Sequence, residues 1–343
     1  MEKVLEEMPG LVSQPSQRSQ TSQSPAYVGR LAPSPTGALH LGNVRTFMIA
    51  WLRARSQGGK VIFRMEDLDH PKDKPGAAVQ AVEDLKWLGF DWDEEYVQSE
   101  RKAIYREALE SLRVSGLVYP CVCSRRDVES AQSAPHAGEQ LFYPGTCRDR
   151  FATWREAYEY KNRLTSQPLN LSTSQLPCWR FRVSGNTIVT FDDTFAGPYE
   201  QDVSRTLGDF PLARDEFGAG YTLACTVDDL LMGVTEVVRG DDLLAATPAQ
   251  ILLARELSKA IDGCRLPSYC HVPLVVGRDG KRLAKRHGDT RIATYREQGK
   301  LSEEILGFLA ASCGWAEKGE RVSLCDLLPR FELGTIPHSP FMI

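Results

Sequence analysis

The sequence predicts an α/β fold, built on a parallel sheet that is interrupted by a cysteine-bearing insertion and followed by a short helical segment. Strand-type and helix-type runs alternate between residues 27 and 116. Cysteines, turns and short strands replace this pattern over residues 117–214, and longer apolar segments return after residue 214. Alternating strands and helices are typical of a parallel sheet with right-handed crossovers.

The first half of the sheet is predicted over residues 27–116. Leu41, Val44, Met48 and Leu52 recur at spacings of three and four, which is the apolar period of an amphipathic helix. The predicted elements are a strand at 28–32, a helix at 41–56, a strand at 61–65, a helix at 77–89 and a helix at 100–115.

The remaining segments are assigned from the same patterns. The insertion, 117–214, should contain short strands at 179–183 and 187–191. The second half of the sheet, 215–290, should use the apolar segments 220–227, 236–239 and 272–276. The C-terminal segment, 291–343, should pack two short helices on the core, near 305–309 and 324–328.

Residues 1–26 are predicted to be a disordered leader. Serine–glutamine pairs recur every three residues between 13 and 23, and they contain nothing that can bury an apolar face. The leader carries acidic residues and no hydrophobic signal core, and no apolar run of the chain approaches a membrane span. We therefore expect a cytoplasmic protein without membrane contact.

Charge and cysteine content narrow the functional classes. The 343 residues include 41 basic and 45 acidic side chains, so the net charge of −4 does not indicate nucleic-acid binding. Any RNA contact must use local basic patches such as 282–291. Nine cysteines at irregular spacing do not form the pattern of a disulfide framework. Nothing in the sequence indicates an assembly larger than a monomer.

The most informative segment is a turn-rich loop between the first predicted strand and the first predicted helix. Residues 30–43 read RLAPSPTGALHLGN, so proline, serine and glycine lead directly into helix 41–56. A helix N-terminus offers free backbone N–H groups and a favourable dipole to an anion such as phosphate. Such a turn is common, and by itself it would be interpreted as an ordinary loop.

A second loop, far along the chain, changes that interpretation. Residues 280–288 read GKRLAKRHG, a basic loop that follows the predicted strand 272–276. Residues 64–69 read RMEDLD and residues 234–243 read VTEVVRGDDL. In this order the segments resemble the HIGH, KMSKS and neighbouring motifs of class I aminoacyl-tRNA synthetases, in the glutamyl-tRNA synthetase branch. The resemblance runs from about residue 27 to about residue 291.

This resemblance implies a Rossmann-like catalytic domain that activates glutamate with ATP, taken with Mg²⁺, through a glutamyl adenylate. It places His40 and Lys285 on the two sides of the triphosphate. Asn43 stands where the HIGH motif ends in histidine, and it can donate a hydrogen bond but carries no charge. Arg282 replaces the first lysine of KMSKS with a fork-shaped cation, and Ala284 replaces the serine.

The resemblance also implies a glutamate pocket. An acidic group needs a cationic partner and an ammonium group needs an acceptor. Arg30 and Arg239 are therefore assigned to the glutamate carboxylates, and Glu66 to the α-ammonium group. Tyr221 is interpreted either as a pocket residue or as a core aromatic of an apolar strand, and Asp67 and Asp69 as structural. The implied pocket residues are Arg30, Ala32, Ser34, Glu66, Tyr221 and Arg239.

The insertion contains a candidate metal site. Cys121, Cys123 and Cys147 put three thiols in a short, turn-rich stretch, and structural zinc prefers four tetrahedral ligands. Free cysteines are also common as small buried apolar groups. Resemblance to shorter paralogues of the glutamyl enzymes adds Tyr143 as the fourth ligand of one structural Zn²⁺. Two alternatives are Asp149, where longer relatives have histidine, and His136; Cys178 and the other cysteines are interpreted as core or incidental.

The acceptor is also an expectation from the resemblance. Only residues 289–343 follow the basic loop, fewer than a typical anticodon-binding domain of about 100–150 residues. A core of this kind, with the tyrosine-bearing cysteine pattern, resembles the paralogues that transfer glutamate to the queuosine base in the anticodon arm of tRNA(Asp). The alternatives are a truncated glutamyl-tRNA synthetase that charges the 3′ end, and an inactive module that only binds tRNA or protein.

Overall fold

The computed structural model describes residues 27–68, 74–131, 141–164, 176–261, 263–281, 283 and 289–343. The predicted leader and several assigned residues lie outside this part of the chain. Those residues are Asp69, His136, Arg282, Ala284 and Lys285. Of the helices in the described ranges, none is long and apolar enough to cross a membrane.

The chain alternates between strands and helices, as the sequence predicts. The helices are α1 Leu41–Arg55, α2 Ala77–Trp87, α3 Lys102–Val114, α4 Arg125–Ala131, α5 Trp154–Leu164, α6 Val203–Thr206, α7 Tyr221–Leu231, α8 Thr247–Leu257, α9 Ile292–Glu297, α10 Ser302–Ala311 and α11 Leu324–Leu327. The strands are β1 Val28–Leu31, β2 Lys60–Met65, β3 Glu94–Val97, β4 Val118–Cys121, β5 Cys178–Phe181, β6 Ile188–Asp193, β7 Gly197–Asp202, β8 Phe210–Ala213, β9 Glu236–Gly240, β10 Ser268–Val272, β11 Val275–Val276 and β12 Phe341–Met342.

The main sheet is largely parallel and has a reversal of strand order at its centre. β1, β2 and β3 pair in parallel on one side, and β9, β10 and β6 pair in parallel on the other. β9 lies beside β1, where the Thr235 amide donates to the Val28 carbonyl at 2.9 Å. Ligands of such sheets bind at the carboxyl ends of the strands where the order reverses, which is here between β1 and β9. The predicted α/β class with parallel sheets is confirmed.

A smaller antiparallel sheet carries the cysteine-rich region. β5 pairs with β4 on one side and with β8 on the other. The β6–β7 hairpin falls inside the predicted insertion, 117–214, yet β6 pairs with β10 of the main sheet. The division of the chain into domains stays a prediction.

Two of the predicted strands, 220–227 and 272–276, are not continuous strands in the structure. The segment 220–227 is not a strand but the start of helix α7, in which Leu223–Leu230 are buried. Because burial on all sides removes the polar face, its apolar run carries no clear helical period. The predicted strand 272–276 is broken after Val272, since Pro273 has no amide to donate, and β11 resumes by pairing with β12.

Helix α1 connects the sheet to the C-terminal segment. Its apolar residues Leu41, Val44, Met48 and Leu52 are buried, as the spacing predicts. On another face, the Arg45 guanidinium donates to the Pro273 carbonyl at 2.7 Å and to the Ser312 hydroxyl at 2.9 Å. The two predicted C-terminal helices are present as α10 and α11.

Candidate functional site

A cleft of about 490 Å³ opens at the carboxyl ends of β1, β2 and β9, at the reversal of strand order. It contains residues from the loop after β1, the start of α1, the end of β2, the start of α7 and the end of β9. Seven predicted site residues line it: Ala32, Ser34, His40, Asn43, Glu66, Tyr221 and Arg239. The fold therefore brings most of the predicted ATP and glutamate residues to one cavity.

His40 and Asn43 form a reciprocal cap at the start of α1. The Nδ1 atom of His40 accepts from the Gly42 and Asn43 amides at 3.1 and 3.4 Å. The Asn43 Oδ1 atom accepts from the His40 amide at 3.2 Å. Because Nδ1 is an acceptor, the proton of a neutral His40 ring lies on Nε2. Asparagine at the position of the last HIGH histidine thus completes a capping box.

The first turn of α1 does not offer the free amides that the sequence led us to expect. The Leu41 amide donates to the Thr290 carbonyl at 3.1 Å, and the next two amides donate to His40. That part of the prediction is wrong because the His40 ring itself caps the helix. The dipole of the helix remains, and any phosphate contact there must involve side chains.

The described residues that flank the basic loop are fixed by backbone hydrogen bonds and by burial. The Ile292 amide donates to the Leu39 carbonyl at 2.9 Å, beside the bond from Leu41 to Thr290. On the other side, Leu283 is buried in the main core, and the Gly277 amide donates to the Lys281 carbonyl at 2.9 Å. Of the residues in these contacts, Leu39 lines the cavity; Arg282 and Lys285 lie outside the described part of the chain.

Arg239 is the buried cation of the cleft. Its Nε atom donates to His271 Nε2 at 3.0 Å, and its Nη2 atom donates to the Thr247 hydroxyl at 2.8 Å. Its Nη1 atom lies 3.5 Å from the hydroxyl of Tyr221, a residue that is 40% exposed at the start of α7. Tyr221 is therefore a residue of the cleft, and the alternative of a core aromatic in a strand is wrong.

Glu66 also lines the cleft and lies within a network of buried charges. It accepts from Arg64 Nη2 at 3.0 Å and from the Cys225 thiol at 3.1 Å. Arg64 is fully buried and also donates to Asp229 at 2.7 Å. Burial, reinforced by the charge of Glu66, raises the pKa of the Cys225 thiol, which keeps it a donor. These contacts fix one carboxylate oxygen of Glu66.

Arg30 and Asp67 have contacts away from the cavity. The Arg30 guanidinium donates from Nη1 to the Val238 carbonyl at 2.8 Å, and its Nε lies 3.6 Å from Asp229. Arg30 is buried between β1 and β9 and does not line the cleft. Asp67 accepts from the amide and hydroxyl of Ser99 at 2.8 and 2.6 Å, a structural role as predicted.

The three predicted cysteine ligands lie together beside the smaller sheet. The sulfurs of Cys121, Cys123 and Cys147 all lie within 4.8 Å of one another, and Cys123 and Cys147 are 3.5 Å apart. The Tyr143 hydroxyl lies 3.2 Å from the Cys121 sulfur and 3.7 Å from the Cys123 sulfur. Ligand atoms of a tetrahedral zinc site are about 3.3–3.8 Å apart, so this donor set fits the ion.

Of the two alternative fourth ligands, only Asp149 lies in the described part of the chain. The Asp149 carboxylate pairs with Arg182 at 2.9 Å and is 73% exposed, so it does not join the cysteines. His136 lies outside the described residues. Cys178, the cross-strand partner of Cys121, touches the cluster and is not incidental. Hydrogen bonds from Cys123, Cys147 and Cys178, with the charge of Arg180, hold the pKa of the Cys121 thiol far below its ordinary value.

Arg180 is a buried cation next to these cysteines. Its Nε atom donates to the Cys121 sulfur at 3.2 Å, and its guanidinium lies 3.8 Å from the centre of the Tyr143 ring. Its Nη1 atom donates to the Asp209 carbonyl oxygen at 2.9 Å. Within the described ranges, no carboxylate forms an ion pair with Arg180. The sulfur of Cys121 is therefore in position to supply the negative charge that a buried guanidinium requires.

Sequence reasoning missed the buried partners of the site. Asp193, His271, Thr247 and Arg180 carry no motif, and only Arg180 falls inside a predicted element, the strand 179–183. The only signal was a polar residue at an inward position of an apolar strand, as with His271 between Cys270 and Val272. That signal does not indicate which partner the side chain contacts.

Comparisons with known proteins identify the family and the fold. A family model for the catalytic domain of tRNA synthetases class I (E and Q) matches residues 27–327. The Glutamyl-Q tRNA(Asp) synthetase of Symbiobacterium thermophilum is 43% identical over 92% of this chain and 95% of that protein. The protein of the same name from Rhodopirellula baltica is 46% identical over 84% and 85%.

A solved structure has the same fold. The crystal structure of a glutamate tRNA ligase from Elizabethkingia meningosepticum in complex with its amino acid superposes with a TM-score of 0.72 at 27% identity. The matched region is 92% of this chain and 66% of that ligase, so the chain spans about two thirds of its length. The extent of the family match, over most of the sequence, decides the assignment. The chain belongs to the class I tRNA synthetases (E and Q).

Proposed function

We propose that the chain activates L-glutamate with ATP and transfers the glutamyl group to the queuosine base in the anticodon of tRNA(Asp). The observation that carries this proposal is the similarity to proteins named Glutamyl-Q tRNA(Asp) synthetase, at 43% and 46% identity over most of both sequences. The cleft supports it, because residues of the HIGH-like segment line it together with a buried arginine and a carboxylate.

In the first step a carboxylate oxygen of glutamate attacks the α-phosphorus of ATP. A bond forms between that oxygen and phosphorus, the bond to the β-phosphate oxygen breaks, and pyrophosphate leaves with its electron pair. Catalysis of such a transfer is mainly positioning and stabilisation of charge. We assign these tasks to His40 and Asn43 at the start of α1, and to Lys285 and Arg282 of the basic loop.

Glutamate would be held by groups of opposite charge on two sides of the cleft. Arg239 presents Nη1 toward the cavity beside Tyr221, which suits a carboxylate. Glu66 supplies a carboxylate for the α-ammonium group and keeps one oxygen free of its contacts with Arg64. Ala32 and Ser34 contribute to the lining of the same cleft. Arg30, which does not line the cleft, would act indirectly by fixing the positions of β1 and β9.

In the second step a hydroxyl of the queuosine diol attacks the carbonyl carbon of the adenylate. An ester bond forms, AMP leaves, and the hydroxyl proton goes to solvent or to the leaving phosphate. Loop bases of RNA are commonly splayed out of the stack for recognition, and double-helical RNA is recognised largely by shape. An anticodon arm can therefore occupy a surface that is suited to another short RNA stem.

We also propose that Cys121, Cys123, Tyr143 and Cys147 hold one structural Zn²⁺. The separations of their sulfur and oxygen atoms support this set. Such an ion would fix the loop that follows β4 against the smaller sheet, because structural zinc sites contribute directly to folding.

The proposal is tested with labelled glutamate, ATP and two tRNA pools that differ only in the queuosine modification. Labelling of the modified pool and not of the unmodified pool is the expected result, and the label should be released by mild alkali because it is an ester. Equal labelling of both pools would contradict the proposal. That result would favour a glutamyl-tRNA synthetase that charges the 3′ end, the activity suggested by the glutamate tRNA ligase of the same fold.

A further inference from the structure

We infer that His271 and Asp193 are positioning residues that fix the guanidinium of Arg239 for recognition of the glutamate carboxylate. The inference rests on the proposed function, because it takes Arg239 to be a glutamate ligand. It adds two residues, both outside the family motifs of the sequence, that act on the substrate only through Arg239.

The three side chains form a continuous chain of hydrogen bonds across the main sheet. His271 on β10 is the direct parallel partner of Arg239 on β9. The Arg239 Nε atom donates to His271 Nε2 at 3.0 Å, and His271 Nδ1 lies 2.6 Å from the Asp193 carboxylate at the end of β6. His271 is 1% exposed, so no water competes for these bonds.

The contacts define the protonation of His271. A guanidinium can only donate, so Nε2 must be the acceptor and the ring proton must lie on Nδ1, where it is donated to Asp193. Asp193 is itself fixed by the backbone amides of His271, Phe195 and Ala196 at 3.0, 3.0 and 2.8 Å. Burial lowers the pKa of His271 and so favours the neutral form that this arrangement needs.

The consequence is a guanidinium with one preferred orientation. His271 holds Nε, the Thr247 hydroxyl holds Nη2, and Nη1 is left facing Tyr221 and the cleft. Without an acceptor at His271 Nε2, the Nε group of Arg239 would be buried and unsatisfied, and the side chain would rotate to find another partner. Substrate affinity would fall for glutamate and not for ATP, which is bound by other residues.

The test compares two substitutions that separate the two nitrogens of His271. Glutamine places its amide oxygen near Nε2 and keeps the acceptor for Arg239. Asparagine places its amide nitrogen near Nδ1 and keeps the donor to Asp193. Glutamate-dependent exchange of pyrophosphate into ATP, without tRNA, gives the KM for glutamate and for ATP separately.

We expect His271→Asn to raise the KM for glutamate roughly tenfold or more, as loss of a hydrogen bond to a charged group should. His271→Gln should change it less than about threefold, and both variants should keep the KM for ATP within about twofold. Equal effects of both substitutions on glutamate, or a parallel rise of both KM values, would overturn the inference, because a merely structural role predicts them.

Two further variants keep the outcomes distinct. Asp193→Asn keeps the shape of the side chain but removes its charge, and it should raise the KM for glutamate severalfold with that for ATP unchanged. If His271→Asn does not fold, the KM values of Asp193→Asn for glutamate and ATP test the inference. Arg239→Gln tests the proposed function: an unchanged KM for glutamate there would remove Arg239 from the pocket. A large effect at Arg239 with none at His271 or Asp193 would overturn only the inference.

Discussion

The backbone of Leu41 donates a hydrogen bond to the carbonyl of Thr290 at 3.1 Å, which joins the first helix to the segment after the basic loop. The two segments are far apart in sequence, and this bond, with that from Ile292 to Leu39, brings residues 290–292 beside the loop that lines the cleft. This connection fixes the segment that follows the basic loop beside the residues around His40.

Glutamate activation should need no tRNA, because the cleft contains the described residues that we place in direct contact with glutamate, together with the loop before α1. The protein should catalyse glutamate-dependent exchange of labelled pyrophosphate into ATP in the absence of RNA. Reactions with glutamine in place of glutamate are the control. Exchange at background level by folded protein would favour the inactive tRNA-binding module.

Arg239→Gln should lower kcat/KM for glutamate in that assay by about 30-fold or more, corresponding to roughly 2–5 kcal/mol. The substitution leaves a carboxylate of the substrate without its cationic partner in a buried site. Arg255→Gln on α8 is the matched control, because Arg255 is an exposed arginine outside the cleft lining. Similar losses in both variants would indicate a general effect of charge.

Protein purified without added metal should contain one Zn²⁺ per chain, and Cys123→Ser should lose it. The reason is that Cys123 lies 3.5 Å from Cys147 and within reach of Tyr143, as a shared metal would require. Elemental analysis measures the content, and Cys325→Ser, at an exposed cysteine of α11, is the control. Stoichiometric zinc in the Cys123→Ser protein would rule out this ligand set.

Arg180→Gln should weaken zinc binding without removing a ligand. Three thiolates exceed the charge of one Zn²⁺, and the Arg180 guanidinium, 3.2 Å from the Cys121 sulfur, offsets part of the excess. Transfer of zinc to a chromogenic chelator should be about tenfold faster or more than in the unchanged protein. Arg182→Gln, which alters a neighbouring arginine paired with Asp149, should transfer zinc at the ordinary rate. Equal rates in the two variants would contradict a role for Arg180.

The sequence predicts those parts of the fold that depend on local periodicity. Helix α1 follows the spacing of Leu41, Val44, Met48 and Leu52, and it begins at the residue after His40. The sequence predicts a strand over 220–227, where the structure has helix α7. The prediction fails because packing in the folded protein buries this helix on nearly all sides. Local patterns fail where the environment is apolar in every direction.

In the site as well, residues that stand in local motifs can be predicted from the sequence, and residues whose contacts depend on the tertiary structure cannot. His40, Glu66 and Arg239 stand in motifs, and the fold brings them to the cleft. His271 could not be assigned, because its contact with Arg239 depends on β9 and β10 being neighbours in the sheet. The same holds for Arg180, whose partner Cys121 lies on an adjacent strand.

The position of the glutamyl group on the RNA distinguishes transfer to queuosine from charging of the 3′ end. Bulk tRNA should be labelled with glutamate, digested with a nuclease under mildly acidic conditions that preserve esters, and separated into fragments. The account predicts that the label lies on queuosine in the anticodon fragment of tRNA(Asp). Label on the 3′-terminal adenosine of tRNA(Glu), with none in that anticodon fragment, would contradict it.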